Sequence, residues 1–211
     1  MIVAHRGNSA EFRENSLPAI RSALEIGVKF VEFDVHLSSD GVPVLSHDVT
    51  LDRMFGVAAN VMDTHSDELR RFGLAALADA MALVRTYSAT AFVDLKPESI
   101  DRFSHIAIDQ VMKHAQDHVL VSWDLPSLLF ARRKYCARIG LIVPDLTSRT
   151  RQIVAASHPE FLFCDQLRIN KKLWPAQWVA YEVESTKMME RLKGYGVSYF
   201  ETKRVRELCS Q

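Results

Sequence analysis

Eight strand-like segments separated by helical ones predict a closed (β/α)8 barrel for this chain. Three observations carry the prediction. Strand and helix alternate along most of the sequence, which is the pattern of a parallel sheet. Eight βα units is the number that closes a barrel. An open doubly wound sheet, the rival, usually carries a glycine-rich phosphate loop after its first strand, and no GxGxxG or GxxxxGK[ST] occurs here. At 211 residues the chain is short for a barrel, so its loops must be economical and residues 1–211 are expected to form one domain.

The elements follow in order. Ile2 to His5 is a short apolar strand, and Asn15 to Gly27 a helix with Leu17, Ile20, Leu24 and Ile26 on its apolar side and Gly27 as its stop. Lys29 to Val35 is the second strand, extended by a hairpin. Ser66 to Phe72 and Leu74 to Tyr87 read as helices parted by Gly73. Ala91 to Leu95 is the third strand, with one long helix expected over Ser99 to Gln116. His118 to Ser122, Arg138 to Val143, Glu160 to Cys164, Gln177 to Val183 and Val197 to Glu201 supply strands four to eight. Helices are expected over Pro126 to Cys136, Ser148 to Ser157, Ser185 to Tyr195 and Lys203 to Cys209. The crossover after strand six is the weakest, because Lys171 to Pro175 has room only for a short helix.

Phe30 to Asp48, FVEFDVHLSSDGVPVLSHD, is the most informative stretch. Glu32, Asp34 and His36 fall at i, i+2 and i+4 and so share one strand face. Two carboxylates there suit a hard divalent cation better than packing; a plain surface hairpin with a polar outer face is the alternative. Asp40-Gly41 reads as a two-residue hairpin loop, a register that sets Asp34 opposite His47 and returns that histidine to the carboxylates. Pro43 requires the pairing to be short or at an edge. His36 lies beyond the carboxylates toward the turn, where exposure to solvent is expected rather than ligation.

Composition narrows the function classes. Lysine plus arginine equals aspartate plus glutamate at 26 each, so no nucleic-acid footprint is implied. Cys136, Cys164 and Cys209 are odd in number and lack CxxC spacing, which fits reduced thiols and a cytoplasmic setting. Neither a signal peptide nor an integral membrane segment is visible.

Catalytic groups of such a barrel sit at the C-terminal strand ends. His5 and Arg6 end strand one, Glu32 and Asp34 strand two, and Asp94 and Lys96 strand three, while His47 returns from the hairpin. Three carboxylates suit Mg²⁺ or Ca²⁺. Two histidines suit acid–base work near neutral pH, and Arg6 and Lys96 can balance a phosphate. A divalent ion flanked by an acid and a base describes phosphodiester cleavage. Singly, each residue has a structural reading: a helix cap, a surface charge or a hydrogen-bonded core histidine.

With HRG at His5 to Gly7, EN at Glu14-Asn15, ExD at Glu32 to Asp34, DGVPVLSHD at Asp40 to Asp48 and TLDR at Thr50 to Arg53, the chain resembles the glycerophosphodiester phosphodiesterase family. The match is close over roughly the first hundred residues and loose beyond. The resemblance implies a TIM (β/α)8 barrel that hydrolyses glycerophosphodiesters to glycerol 3-phosphate and an alcohol with one divalent metal ion. It implies His5 and His47 as the catalytic acid–base pair, and Glu32, Asp34 and Asp94 as metal ligands. Arg6 and Lys96 become phosphate contacts, and Glu14 and Asn15 residues lining the site.

The departures are specific. Arg13 stands where the family has proline, putting charge beside the pocket or on a solvated loop. Asp94 replaces a glutamate, one methylene shorter. The insertion after strand two is cut to about Val49 to Ala89. Strand seven ends in Tyr181-Glu182-Val183-Glu184 rather than Trp-Thr-x-Asn, leaving Tyr181 as an aromatic pocket wall. Strand eight ends in Thr202-Lys203 rather than Thr-Asp, which favours an anionic alcohol moiety. Trp123 either stacks on substrate or packs at the rim. Trp174 and Trp178, flanking Pro175, suit a cover for the barrel or an oligomer contact such as a homodimer. Two alternatives remain. One is a lysophospholipid or sphingolipid diesterase of phospholipase D type, with an apolar groove around Phe55, Trp123 and Trp174. The other is a non-catalytic barrel that binds phosphodiesters.

Overall fold

The computed structural model describes residues 1–115 and 118–209. Strand β1 (Ile2–His5) leads through the HRG turn to helix α1 (Leu17–Ile26), then β2 (Phe30–Leu37) and the short β3 (Pro43–Leu45). Helices α2 (Asp52–Phe55), α3 (Ser66–Phe72) and α4 (Leu77–Thr86) precede β4 (Thr90–Leu95). Then come α5 (Pro97–Phe103), α6 (His105–Ala115), β5 (Val119–Ser122), α7 (Leu125–Tyr135), β6 (Arg138–Ile142) and α8 (Ser148–Ser157). Strand β7 (Phe161–Asp165), β8 (Gln177–Tyr181), α9 (Thr186–Tyr195), β9 (Tyr199–Thr202) and α10 (Val205–Cys209) complete the described chain.

Local chemistry explains the punctuation. Ser16 caps α1 by accepting the Ala19 N–H, Pro18 sits in the first turn, and Gly27 closes the helix at φ 102. Ser185 and Gly196 do the same for α9. Seven parallel pairings and the β1–β9 closure join β1, β2, β4, β5, β6, β7, β8 and β9 into a ring, and β3 hangs antiparallel on the outer end of β2. The chain folds as the expected TIM barrel.

Strand parity fills the interior in layers. Val3, Phe30, Phe92, Val119, Phe161, Val179 and Tyr199 form an apolar floor. Phe92 packs edge-on against Phe161 at 4.9 Å and Phe163 at 5.1 Å, and Phe161 against Tyr199 at 5.2 Å. Gly140 on β6 makes room for them, since a Cβ there would meet the Phe163 ring at 2.8 Å. Two residues further along the same strands, the inward positions become His5, Glu32, Asp94, Tyr181 and Glu201. A packed hydrocarbon floor therefore ends abruptly in a polar mouth.

Four expectations need correction. The segment expected as one helix from Ser99 to Gln116 is two, broken at Ser104, whose φ of 49 and ψ of −135 no helix tolerates; Gln116 lies outside the described residues. After β7 a single 3-10 turn spans Gln166–Arg168, while Lys171 to Pro175 is irregular. Trp178 is wholly buried in β8, donating its indole N–H to the Trp174 carbonyl at 3.0 Å, so it cannot face another subunit.

The hairpin register is the fourth. Val35 pairs with Leu45, His36 with Val44 and Leu37 with Pro43. Asp34 thus faces Ser46, whose N–H it accepts at 3.1 Å, and not His47. The loop has three residues rather than two: the Gly41 N–H bonds the Ser38 carbonyl, and Gly41 itself takes φ 78. One residue of slip reverses the faces of a returning strand, so His47 reaches the mouth as a loop residue beyond β3. The insertion that follows is short, and its own small core comprises Val44, Leu51, Val61, Leu69 and Leu74.

Candidate active site

The register of the ring assembles the mouth. His5 is the Cα partner of Glu32, and Asp34 that of Asp94. A cavity of about 260 Å³ opens there, lined by His5, Arg6, Glu32, Asp34, His47, Asp94 and Lys96 on one side. Val121, Trp123, Ile142, Phe163 and Tyr181 line the other, with Glu182 and Glu201 between.

The HRG turn owes its sequence to backbone geometry. Arg6 and Gly7 both take positive φ, 57 and 79. At Gly7 a Cβ would lie 2.6 Å from the Ala19 backbone, so only glycine lets the turn rest on α1. The bend aims the Arg6 N–H at Glu32, 3.0 Å away, and its guanidinium at Asp34 (3.0 Å) and Glu14 (3.0 Å).

Asn15, also at positive φ, grips Asp34 twice: its amide donates to the carboxylate at 2.8 Å, and its oxygen accepts the Asp34 N–H at 3.1 Å. Glu14 joins Arg6 to Arg53, which reaches Asp48, which accepts from His47 Nδ1 at 2.7 Å. Glu14 and Asn15, expected to line the site, lie outside the main cavity and instead hold its residues in place.

The electrostatics are those of crowded buried carboxylates. Burial raises Glu32 well above the usual range, and the charges of Asp34 and Glu201 push the same way. Burial also acts on Asp34, but Lys96 and Arg6 overcome it and hold that carboxyl low. Lys96 places Nζ 2.5 Å from Asp34 and 2.6 Å from Asp94, and although burial works against its charge, these two carboxylates raise its pKa. Burial leaves Asp94 raised despite Lys96. Burial drives His5 well below its ordinary value, with the Arg6 charge adding to the effect.

These residues fit a divalent cation. Oxygens of Glu32, Asp34 and Asp94 lie within 4.8 Å of one another. Asp94 Oδ1 is buried without a hydrogen-bond partner, and the Arg6 charge does not offset the burial of Glu32. All are oxygen donors, as Mg²⁺ and Ca²⁺ prefer.

Other expected residues sort out clearly. Trp123 is 46% exposed and lines the cavity rim with Tyr181. Phe55 lies in a separate cleft beside Arg13, and Trp174 borders clefts elsewhere, so the three-aromatic groove does not form. Arg13 stacks over Phe55 at 4.6 Å and donates to the Gly73 carbonyl at 2.6 Å, pinning the insertion to the barrel. Lys203 is paired with Glu182 at 2.8 Å, which removes the argument for an anionic alcohol.

His36 is fully buried, contrary to its expected exposure. Its Nδ1 meets Ser99 Oγ and its Nε2 the His47 carbonyl, each at 3.2 Å.

Glu201, Glu182, Asp48 and Arg53 have a place in the site that the sequence does not assign them. Glu201 lies 3.5 Å from His5 Nε2, and Glu182 3.6 Å from His5 Nδ1. Burial, with the Asp34 charge behind it, pushes Glu201 up to about 8. Parity could have found it: Tyr199 is inward, so Glu201 two residues on must be inward too.

The model of the glycerophosphoryl diester phosphodiesterase family matches residues 5–198. The human glycerophosphodiester phosphodiesterase 1 is 35% identical over 109 residues, 44% of this chain and 33% of that protein. A lysophospholipase D of Rattus norvegicus is 40% identical over 67 residues, 32% of this chain and 21% of that protein. The matched segments thus span about a third of these curated relatives or less.

Among solved structures, an Oleispira antarctica phosphodiesterase in complex with its product sn-glycerol-3-phosphate superposes with TM-score 0.86 at 22% identity, covering 100% of this chain and 95% of that one. A glycerophosphodiester phosphodiesterase of Thermotoga maritima gives 0.82 at 21% identity, covering 99% and 96%. At such identities the two likenesses speak for the fold. The family match runs across nearly the whole barrel, and the chain belongs to the glycerophosphoryl diester phosphodiesterase family.

Proposed function

We propose that residues 1–211 act as one phosphodiesterase domain that hydrolyses glycerophosphodiesters to glycerol 3-phosphate and an alcohol. One observation carries the reading: His5 and His47 share a single cavity with five carboxylates, Glu32, Asp34 and Asp94 among them, and two cations suited to a phosphate. Glu32, Asp34 and Asp94 would hold one divalent ion, Mg²⁺ or Ca²⁺. When bound, such an ion supplies Lewis-acid polarisation of a phosphoryl oxygen.

The protein's own groups do the remainder. Arg6 and Lys96 offset the negative charge of the diester, held in place by Asp34, Asp94 and Glu14. His47 donates its Nδ1 proton to Asp48, which leaves Nε2 for proton exchange. One histidine accepts the proton of the nucleophile, either water or the substrate's glycerol hydroxyl, and the other protonates the leaving oxygen. Val121, Ile142 and Phe163 exclude water from the far wall, while Trp123 and Tyr181 contact the departing alcohol. The free thiols of Cys136, Cys164 and Cys209 support a cytoplasmic setting. Among the described residues no helix is long and apolar enough to cross a membrane.

The test is release of glycerol 3-phosphate from a panel of glycerophosphodiesters with Mg²⁺, Ca²⁺, Mn²⁺ or chelator. Metal-dependent release supports the reading. Choline release from acylated lysophosphatidylcholine in preference to glycerophosphocholine would replace it with lysophospholipase D chemistry; no cleavage, with binding retained, would leave a non-catalytic barrel.

A further inference from the structure

His36 has no part in the chemistry described above, yet its environment is fully specified. It is wholly buried on β2, two residues beyond Asp34, and so is Ser99 in the first turn of α5. A carbonyl only accepts, so the contact between His36 Nε2 and the His47 oxygen requires the proton on Nε2. The neutral ring then has a bare Nδ1, which accepts from the Ser99 hydroxyl, and Ser99 Oγ accepts in turn from the Leu37 N–H at 3.0 Å. With both ring nitrogens occupied, the ring is not available as a metal ligand.

These bonds tie together three segments that carry site residues. Strand β2 bears Glu32 and Asp34. The chain beyond β3 bears His47 and Asp48. The start of α5 follows Lys96 directly. His47 needs such an anchor: it stands outside the β2–β3 ladder, its side chain is 40% exposed, and the ring's only polar partner among the described contacts is the neighbouring Asp48.

We propose that His36 is a positioning residue: its Nε2–H holds the His47 carbonyl, and so the His47–Asp48 pair, over the carboxylates, while the Ser99 hydroxyl holds the other ring nitrogen. This rests on the reading of His47 as a catalytic group. Gln offers one donor and one acceptor on a side chain of comparable reach, whereas Leu offers neither.

The experiment compares wild type with His36→Leu, His36→Gln, Ser99→Ala, His47→Ala and the His36→Leu/His47→Ala pair. It measures steady-state kinetics on glycerophosphocholine with Mg²⁺ and amide hydrogen exchange over residues 46–49. His36→Leu is expected to lower kcat by about tenfold or more with little change in KM, as misplacement of a reacting group does. His36→Gln should restore most of that loss, and Ser99→Ala, which cannot misfold through a lost ring, should show a smaller loss in the same direction. In the His47→Ala background His36→Leu should cost nothing further, and exchange over 46–49 should speed in the Leu variant but not the Gln variant. Equal losses from His36→Leu in both backgrounds, or unchanged exchange and kcat in folded His36→Leu and Ser99→Ala, would overturn the proposal. Wild-type kcat in His47→Ala would overturn the role of His47 itself, while exchange still reports whether His36 anchors the segment.

Discussion

The two sides of the barrel mouth are built from different materials. On one side β1, β2, β4 and the hairpin bring two histidines, three carboxylates, Arg6 and Lys96 to one place. On the other, β5, β6, β7 and β8 present Val121, Ile142, Phe163 and Tyr181, with Trp123 at the rim. The charged side is cross-linked throughout: Arg6, Asn15 and Lys96 converge on Asp34, and Glu14, Arg53 and Asp48 link Arg6 to His47. The apolar side has no comparable network of ion pairs among the described residues. One side is thus arranged for chemistry, where a displaced atom is costly, and the other for shape, where substitution is tolerated.

That contrast can be broken by mutation. The largest effect is expected on the charged side: His47→Ala should lower kcat by on the order of a hundredfold or more, with an unchanged melting temperature because the side chain is half exposed. A smaller loss would mean that the apolar side contributes more than shape. Asp94→Asn should weaken divalent-ion binding by at least about tenfold, on the scale found when even outer-shell partners are removed; calorimetric titration with Mg²⁺ and Ca²⁺ reads it directly.

Between the two sides, Glu201 sharpens the comparison through pH. Its folded-state pKa is raised to about 8, above the ordinary carboxylate value of about 4.3. A raised pKa favours the folded state fully below the unfolded value and loses that advantage as pH rises through the folded one. Its contribution to the stability of the metal-free protein should therefore be lost between about pH 4.3 and 8, so the melting-temperature difference between wild type and Glu201→Gln should shift against the wild type across that window. A difference that does not change with pH there would contradict the buried carboxyl cluster. The smallest effect belongs to the apolar rim: Trp123→Ala should change stability by no more than about 0.5 kcal/mol and shift KM between diesters of different alcohols while leaving kcat unchanged.

The charged side was the readable one, for a physical reason. Period-two alternation put Glu32 and Asp34 on one face, and strand ends located His5, Arg6, Asp94 and Lys96 without any knowledge of register. Register is less legible. Asp40-Gly41 serves equally in a two-residue loop and, as here, in a three-residue loop with Gly41 left-handed, and sequence does not choose between them. His36 looked exposed because its cover comes from α5 and the chain beyond β3, both remote in sequence. Glu201 and Glu182 meet His5 only because β9 closes against β1, and no local pattern announces that neighbour. The break at Ser104 depends on one left-handed residue inside an otherwise helical stretch.

The central claim is that the charged side cleaves glycerophosphodiesters with the aid of a divalent ion. Its most direct test follows glycerol 3-phosphate release from glycerophosphocholine by the wild-type chain, first stripped with chelator and then supplied with Mg²⁺ or Ca²⁺. The account predicts negligible release from the stripped protein and restoration on adding one of these ions, lost again in Asp94→Asn. Release that persists undiminished in chelator, or none with any divalent ion, would contradict it.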